Sequence, residues 1–141
     1  MKIFVFAVGK LKEPGYRALC DEYIGRIARY HKVDEQEVKS SADLARAFDK
    51  CSRVIACEVK GRSLTSEQFA KELERWGSAG KGDIGFLIGG AEGIPAELSK
   101  RTAAQLSLSS LTLPHRLARL VLLEQIYRAF SILRGEPYAR E

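Results

Sequence analysis

Histidine is almost missing from these 141 residues, with only His31 and His115, and the three cysteines, Cys20, Cys51 and Cys57, are odd in number and share no paired spacing. This excludes a zinc site of Cys and His ligands at finger-like spacing and provides no disulfide framework, so no metal is expected and a cytoplasmic, reducing setting is. Long apolar runs are also lacking. None approaches the ~20 residues of a membrane span, and the opening MKIFVFAVGK reads as a short strand without a small-residue cleavage site. Although the net charge is +5, no block of five or six lysines or arginines marks a disordered nucleic-acid arm. Attraction to a polyanion is favoured, but its site must be assembled by folding or by pairing of subunits. With 45% hydrophobic residues, the chain is expected to form a single domain over 1–141 that buries roughly two thirds of its unfolded surface.

What is present alternates between two periods. The unbroken apolar run Ile3–Val8 (IFVFAV) suits a strand covered on both faces, Arg53–Val59 and Ile84–Ile88 are further buried-strand candidates, and Leu106–Leu113 predicts a fourth, ended by Pro114. Helical spacing predicts Tyr16–Tyr30, with Leu19, Tyr23, Ile27 and Tyr30 on one side, and one or two turns over Ala42–Phe48. Thr65 and Gln68 form a capping-box pattern ahead of a helix to Trp76 that turns Phe69, Leu73 and Trp76 inward. Gly77–Gly82 predicts a glycine-rich turn, and Pro95 a first-turn proline for a helix over Pro95–Ala104. His31–Ser40 supports a short edge strand or a loop. Strands alternating with helices give an α/β domain with a mostly parallel sheet.

The final helix, Arg116–Leu133, carries apolar residues around nearly its whole circumference, with Glu124 and Arg128 four apart on a narrow polar face. Its burial on more than one side implies either a homodimer contact or a sandwiched position within one subunit. Three stretches carry candidate chemistry. Gly85–Gly93 (GFLIGGAEG) places glycines directly after a parallel strand, where open α/β sheets hold ligands; it matches neither the dinucleotide fingerprint nor a P-loop, and the alternative is a tight turn. Leu106–Arg119 (LSLSSLTLPHRLAR) offers hydroxyls, backbone amides and His115 beside a proline, or simply an exit turn. The tail, Glu136–Glu141, sets Tyr138 and Arg140 behind Pro137, where they can reach across to a pocket if the chain end does not fray.

FLIGGAEGI, LSLSSLTLPHRLARLVLLEQIYRAFSI and the terminal PYxRE, together with IFVFAVGK and KELERW, resemble the ribosomal large subunit methyltransferase H family of the SPOUT class across nearly the whole chain. The resemblance implies a homodimer with a C-terminal trefoil knot. It implies binding of S-adenosylmethionine and methylation of N3 of a pseudouridine in large-subunit (23S) rRNA of the assembled ribosome. By position, it carries cofactor contacts to Cys57, Gly89, Gly90 and the loop Leu108, Ser109, Ser110, Leu111, Thr112 and Leu113, with Gly93 supporting the turn. RNA-side residues map to His115, Glu124, Arg128, Tyr138 and Arg140, of which Arg140, Tyr138 and His115 are the catalytic candidates. The family usually has a histidine between that tyrosine and arginine, and here Ala139 stands there. This departure sustains one alternative, a non-catalytic RNA or ribosome-binding module retaining the fold; a SPOUT methyltransferase acting on another RNA, with the same cofactor but a different target, is a further one.

Overall fold

The computed structural model describes residues 1–79 and 82–141. Five parallel strands form one sheet, β1 (Ile3–Val8), β2 (Val33–Val38), β3 (Arg53–Ser63), β4 (Ile84–Ile88) and β5 (Ala104–Ser107), in the order β2-β1-β4-β3-β5. The helices are α1 (Pro14–Ile27), α2 (Ala47–Lys50, preceded by a 3-10 segment at Ser41–Arg46), α3 (Ser66–Ala79), α4 (Ala96–Ser99) and α5 (His115–Arg134), and a 3-10 turn at Pro137–Arg140 closes the chain. Because all five strands run the same way, their carboxyl ends share one edge, and this edge carries the site.

The continuous apolar runs earn their central places. Every residue of β4 is buried, and β1 and the first half of β3 flank it in register, Ile3 and Arg53 both opposite Ile84. One side of the sheet packs against α1, α3 and α5 through Ile3, Val5, Ile55, Phe86, Leu122 and Ile126; the other, with Phe4, Phe6 and Leu87, is covered by the Leu44 and Ala47 region and Leu98. The capping box at Thr65 forms in both directions, Gln68 N–H to Thr65 Oγ1 at 3.1 Å and Thr65 N–H to Gln68 Oε1 at 2.9 Å. Phe69, Leu73 and Trp76 face inward as their spacing requires.

Several boundaries differ from the sequence reading, each for a local reason. The predicted strand Leu106–Leu113 ends at Ser107, because its hydroxyls serve neighbouring backbone instead of a ladder: Ser107 Oγ donates to the Ser109 carbonyl and the Leu111 amide donates to Ser109 Oγ, both at 2.9 Å. Pro114 therefore ends a loop and precedes α5, where its extended ψ of 145° sets the entry. The helix expected over Pro95–Ala104 is the single turn Ala96–Ser99, since Thr102 Oγ1 and Gln105 Nε2 capture the Ser99 carbonyl and the Ala103 amide turns to Val54. Pro95 stands one position before that turn. Helix α1 stops at Ile27, and Leu19 lies on its outer face while Cys20 is buried. His31–Ser40 forms the edge strand β2. The turn read over Gly77–Gly82 begins as the last part of α3, and residues 80–81 lie outside the described ones.

Strand β3 extends past Val59 to Ser63, and its pairing with β5 jumps: Leu106 stands opposite both Cys57 and Arg62, so residues 58–61 leave the sheet as an excursion. Where the strand returns, a Cβ on Gly61 would lie 2.7 Å from the Gln105 and Leu106 backbone. Glycine there is a requirement of close approach.

Candidate active site

Three successive loops at the carboxyl edge enclose one cavity of about 740 Å3. The excursion after Cys57 contributes Glu58, Val59 and Lys60. The loop after β4 contributes Gly89 to Ile94, and the loop after β5 contributes Leu108, Ser109 and Leu111 to Pro114, with His115 and Ala118 of α5 closing the floor. A cavity of this size, mostly apolar with a few polar groups converging on it, suits a cofactor-sized molecule. Of the nine residues expected at a cofactor, eight line it; Ser110 is exposed and does not.

The glycine loop is a turn as well as a wall. Gly93 adopts φ +76°, its amide donates to the Gly90 carbonyl at 3.0 Å, and a Cβ on Gly89 would fall 2.5 Å from the Gly93 carbonyl carbon. Only glycine fits position 89. Gly90 differs: its missing side chain points at Val8 Cγ1, 3.2 Å away, and not into the cavity. Backbone thus faces the ligand space over much of this loop, as flat recognition through amides and carbonyls requires.

Polar groups are few. Glu58 accepts a hydrogen bond from Ser99 Oγ at 2.8 Å, which fixes a carboxylate in the lining. Burial pushes the Cys57 thiol up to about 12, so it stays protonated and inert as a nucleophile. His115 occupies the first position of α5, and its buried Nδ1 has no hydrogen-bond partner among the described residues. His115 lines the cavity, and a buried ring nitrogen without a protein partner stands out where buried polar groups are as a rule satisfied. No group of three His, Cys, Asp or Glu side chains able to hold a metal ion occurs among the described residues.

The remaining expected site residues lie elsewhere in the same chain. Glu124 and Arg128 pair on α5 at 2.8 Å, as their spacing implied. Tyr138 Oη donates to Glu124 at 2.8 Å, lies 3.0 Å from the Tyr23 hydroxyl, and its ring packs on Tyr127 at 4.6 Å. Burial first, then its hydrogen bonds with Tyr23 and Glu124, raises the Tyr138 phenol far above its ordinary range, making it a donor and not a base. Arg128 also reaches the terminal backbone, donating to the Glu141 carbonyl at 2.6 Å. Arg140 is exposed and makes no hydrogen bond or ion pair among the described residues. The tail docks on the middle of α5, Tyr138 against Glu124, and neither Tyr138 nor Arg140 is among the residues that line the cavity. One chain therefore unites the three cavity loops with His115, but not with Tyr138 and Arg140.

Sequence reading missed an ionic cluster built around one buried arginine behind the cavity floor. Arg119, fully buried one turn beyond His115, donates to Glu37 at 2.6 Å, to Glu35 at 3.2 Å and to the Gly9 carbonyl at 3.0 Å. Arg17 completes it, 2.5 Å from Glu35 and 3.4 Å from Glu37. Burial opposes charge on Glu37, yet hydrogen bonds from Arg119 and the Leu11 amide outweigh it and hold the carboxyl below its usual value. The signal was available: in VDEQEV, Glu35 and Glu37 alternate and share one face of β2. Glu58, Lys60 and Glu92 also line the cavity without having been singled out.

Comparison with known proteins agrees with this geometry. The family described as "Predicted SPOUT methyltransferase" matches residues 1–139. Ribosomal RNA large subunit methyltransferase H of Sorangium cellulosum is 54% identical over 145 residues, covering 99% of both chains. Among solved structures, a probable methylase family protein from Haemophilus influenzae superposes with a TM-score of 0.62 at 14% identity, over 94% of this chain and 68% of that one. An AdoMet-bound rRNA methyltransferase from Sinorhizobium meliloti gives 0.50 at 14% identity, over 90% and 56%. These solved structures share the fold, and the full-length sequence identity carries the assignment: the chain belongs to the ribosomal RNA large subunit methyltransferase H family of SPOUT methyltransferases.

Proposed function

We propose that this protein is an S-adenosylmethionine-dependent methyltransferase acting in the cytoplasm as a homodimer on N3 of a pseudouridine in large-subunit rRNA of the assembled ribosome. The observation that carries the reading is the convergence of the loops after β3, β4 and β5 on one cavity that ends at His115, in a chain so similar along its length to a curated large-subunit methyltransferase. Cys57, Gly89, Gly90 and residues 108–113, except the exposed Ser110, hold the cofactor: the glycine and serine loops offer backbone and small side chains to a flat base, and Glu58 or Glu92 offers carboxylate to hydroxyl or amino groups. When bound, the cofactor supplies an electrophilic methyl group on sulfonium.

The chain's own contribution is positioning and charge. An imide N3–H is weakly acidic, so a cation that favours the deprotonated base contributes more than a strong base would. Arg140 has a free guanidinium for that task, Tyr138 keeps its proton and donates, and His115 accepts a proton or contacts phosphate. Because Tyr138 and Arg140 do not line the cavity of their own chain, the site is completed by a second copy, whose tail meets this cavity. The half-buried stripe Leu117, Leu120 and Val121 supplies apolar area for that pairing, and the knotted threading implied by the resemblance belongs to the same proposal.

Ala139 favours a second reading, a ribosome-binding module without catalysis. Incubating the protein with ribosomes from cells lacking its gene and S-adenosylmethionine tritiated in the methyl group separates the two. Label in 23S rRNA is expected; binding without label supports the module, and label in another RNA supports a different target.

A further inference from the structure

We propose that the β1–α1 loop, residues 9–13, is a rigid cationic clamp that grips the phosphate backbone of the RNA through Lys10 and Lys12, beside the cavity of its own protomer. The inference rests on the RNA-methyltransferase reading and adds to it a surface that neither the tail nor α5 supplies. The loop leaves β1 on the same edge as the cavity, with Val8 against Gly90 of the cavity wall. On its other side stand Arg116 and Arg119, the neighbours of His115 and Ala118 in the cavity floor.

Its backbone is held at alternate residues, Gly9, Leu11 and Glu13. Gly9, at φ +90°, donates its amide to the Val38 carbonyl at 2.8 Å and accepts from Arg119 at 3.0 Å. The Leu11 amide donates to Glu37 at 3.0 Å while its side chain enters the core, and Glu13 pairs with Arg116. With Leu11 turned inward, its two neighbours face out: Lys10 and Lys12 are both exposed, and neither forms an ion pair among the described residues. The carboxylates at hand are already engaged, Glu13 by Arg116 and Glu35 and Glu37 by Arg119 and Arg17. Two lysines left uncompensated on a preorganised loop are suited to phosphate contacts, which position an RNA without reading its sequence.

The test uses the full-length Lys10→Ala/Lys12→Ala variant and unmodified 70S ribosomes from cells lacking the gene, with affinity followed from about 50 to about 300 mM KCl. Each lost phosphate contact lowers the slope of log K against log salt by ~0.7 to ~0.9, so the variant should lose ~1.4 to ~1.8 in slope. At about 0.1 M salt that corresponds to roughly 25- to 60-fold weaker binding. KM for ribosomes should rise accordingly, while kcat at saturation and calorimetric S-adenosylmethionine affinity stay parental. Lys10→Arg/Lys12→Arg should keep the parental slope. Parental slope and affinity in the alanine variant would overturn the clamp while leaving the methyltransferase reading intact. A parent that neither binds nor methylates ribosomes would overturn both.

Discussion

Replacing Arg119 with methionine keeps an unbranched, apolar stem in the core and removes the charge on which Glu35, Glu37 and the Gly9 carbonyl converge. Breaking a buried pair by deleting one partner costs ~3 to ~5 kcal/mol, because the other charge stays buried. Here Arg17 remains close to both carboxylates, the Leu11 amide still serves Glu37 and Glu37 is open to water, which places the expected loss below that range, at about 2 kcal/mol. At ~2.1 cal/mol/K per residue, 141 residues give an unfolding entropy of about 300 cal/mol/K, so Tm should fall by about 7 °C. The pH dependence has a definite sign. Glu37 is held below its reference value of 4.5, so its stabilisation is complete above that value and fades as pH falls through the lower folded one. Removing Arg119 removes a principal cause of that shift. Urea denaturation at fixed protein concentration should therefore show the largest gap between parent and variant near neutral pH, narrowing below about pH 4. Adding Glu37→Gln should recover part of the loss in a double-mutant cycle. A loss under about 1 kcal/mol, the range of an exposed pair, would refute the reasoning.

Four further outcomes follow from named contacts. Gly89→Ala drives a methyl group into the Gly93 backbone, so S-adenosylmethionine affinity by calorimetry should drop at least about tenfold, whereas Gly90→Ala meets only a Val8 methyl and should cost less. Thr65→Ala removes one arm of the capping box and should lower stability by ~1 kcal/mol in chemical denaturation. Burial raises the thiols of Cys20 and Cys51 to about 11, so iodoacetamide at pH 8 should label them far more slowly in the native protein than in urea. Arg140→Ala should slow single-turnover methylation of ribosomes with little effect on cofactor affinity, because its proposed task is to stabilise the deprotonated target base and not to hold the cofactor.

Much of the fold was legible because fully buried parallel strands need no alternation: IFVFAV and IGFLI announce themselves by composition. The capping box at Thr65 and the pair Glu124–Arg128 were equally readable, being local. Harder were the places where side chains compete with the backbone. Ser107 and Ser109 end β5 early, and Thr102 with Gln105 truncates α4, choices that a hydrophobic pattern does not encode. The site divides in the same way. Glycines after β4 and hydroxyls after β5 pointed to the cavity, but Glu58 and Lys60 reach it only because β3 leaves and rejoins its register with β5, a long-range event. Arg119 was hidden within an apolar helix pattern, and its partners lay in a strand too polar to claim with certainty.

The central claim is that this cavity serves methylation of large-subunit rRNA, and nucleoside mass mapping of 23S rRNA tests it most directly. In cells lacking the gene, methylpseudouridine should vanish from the large subunit; it should return on expression of the parent protein and not of Gly89→Ala. Methylpseudouridine persisting at its normal level without the gene would contradict the account.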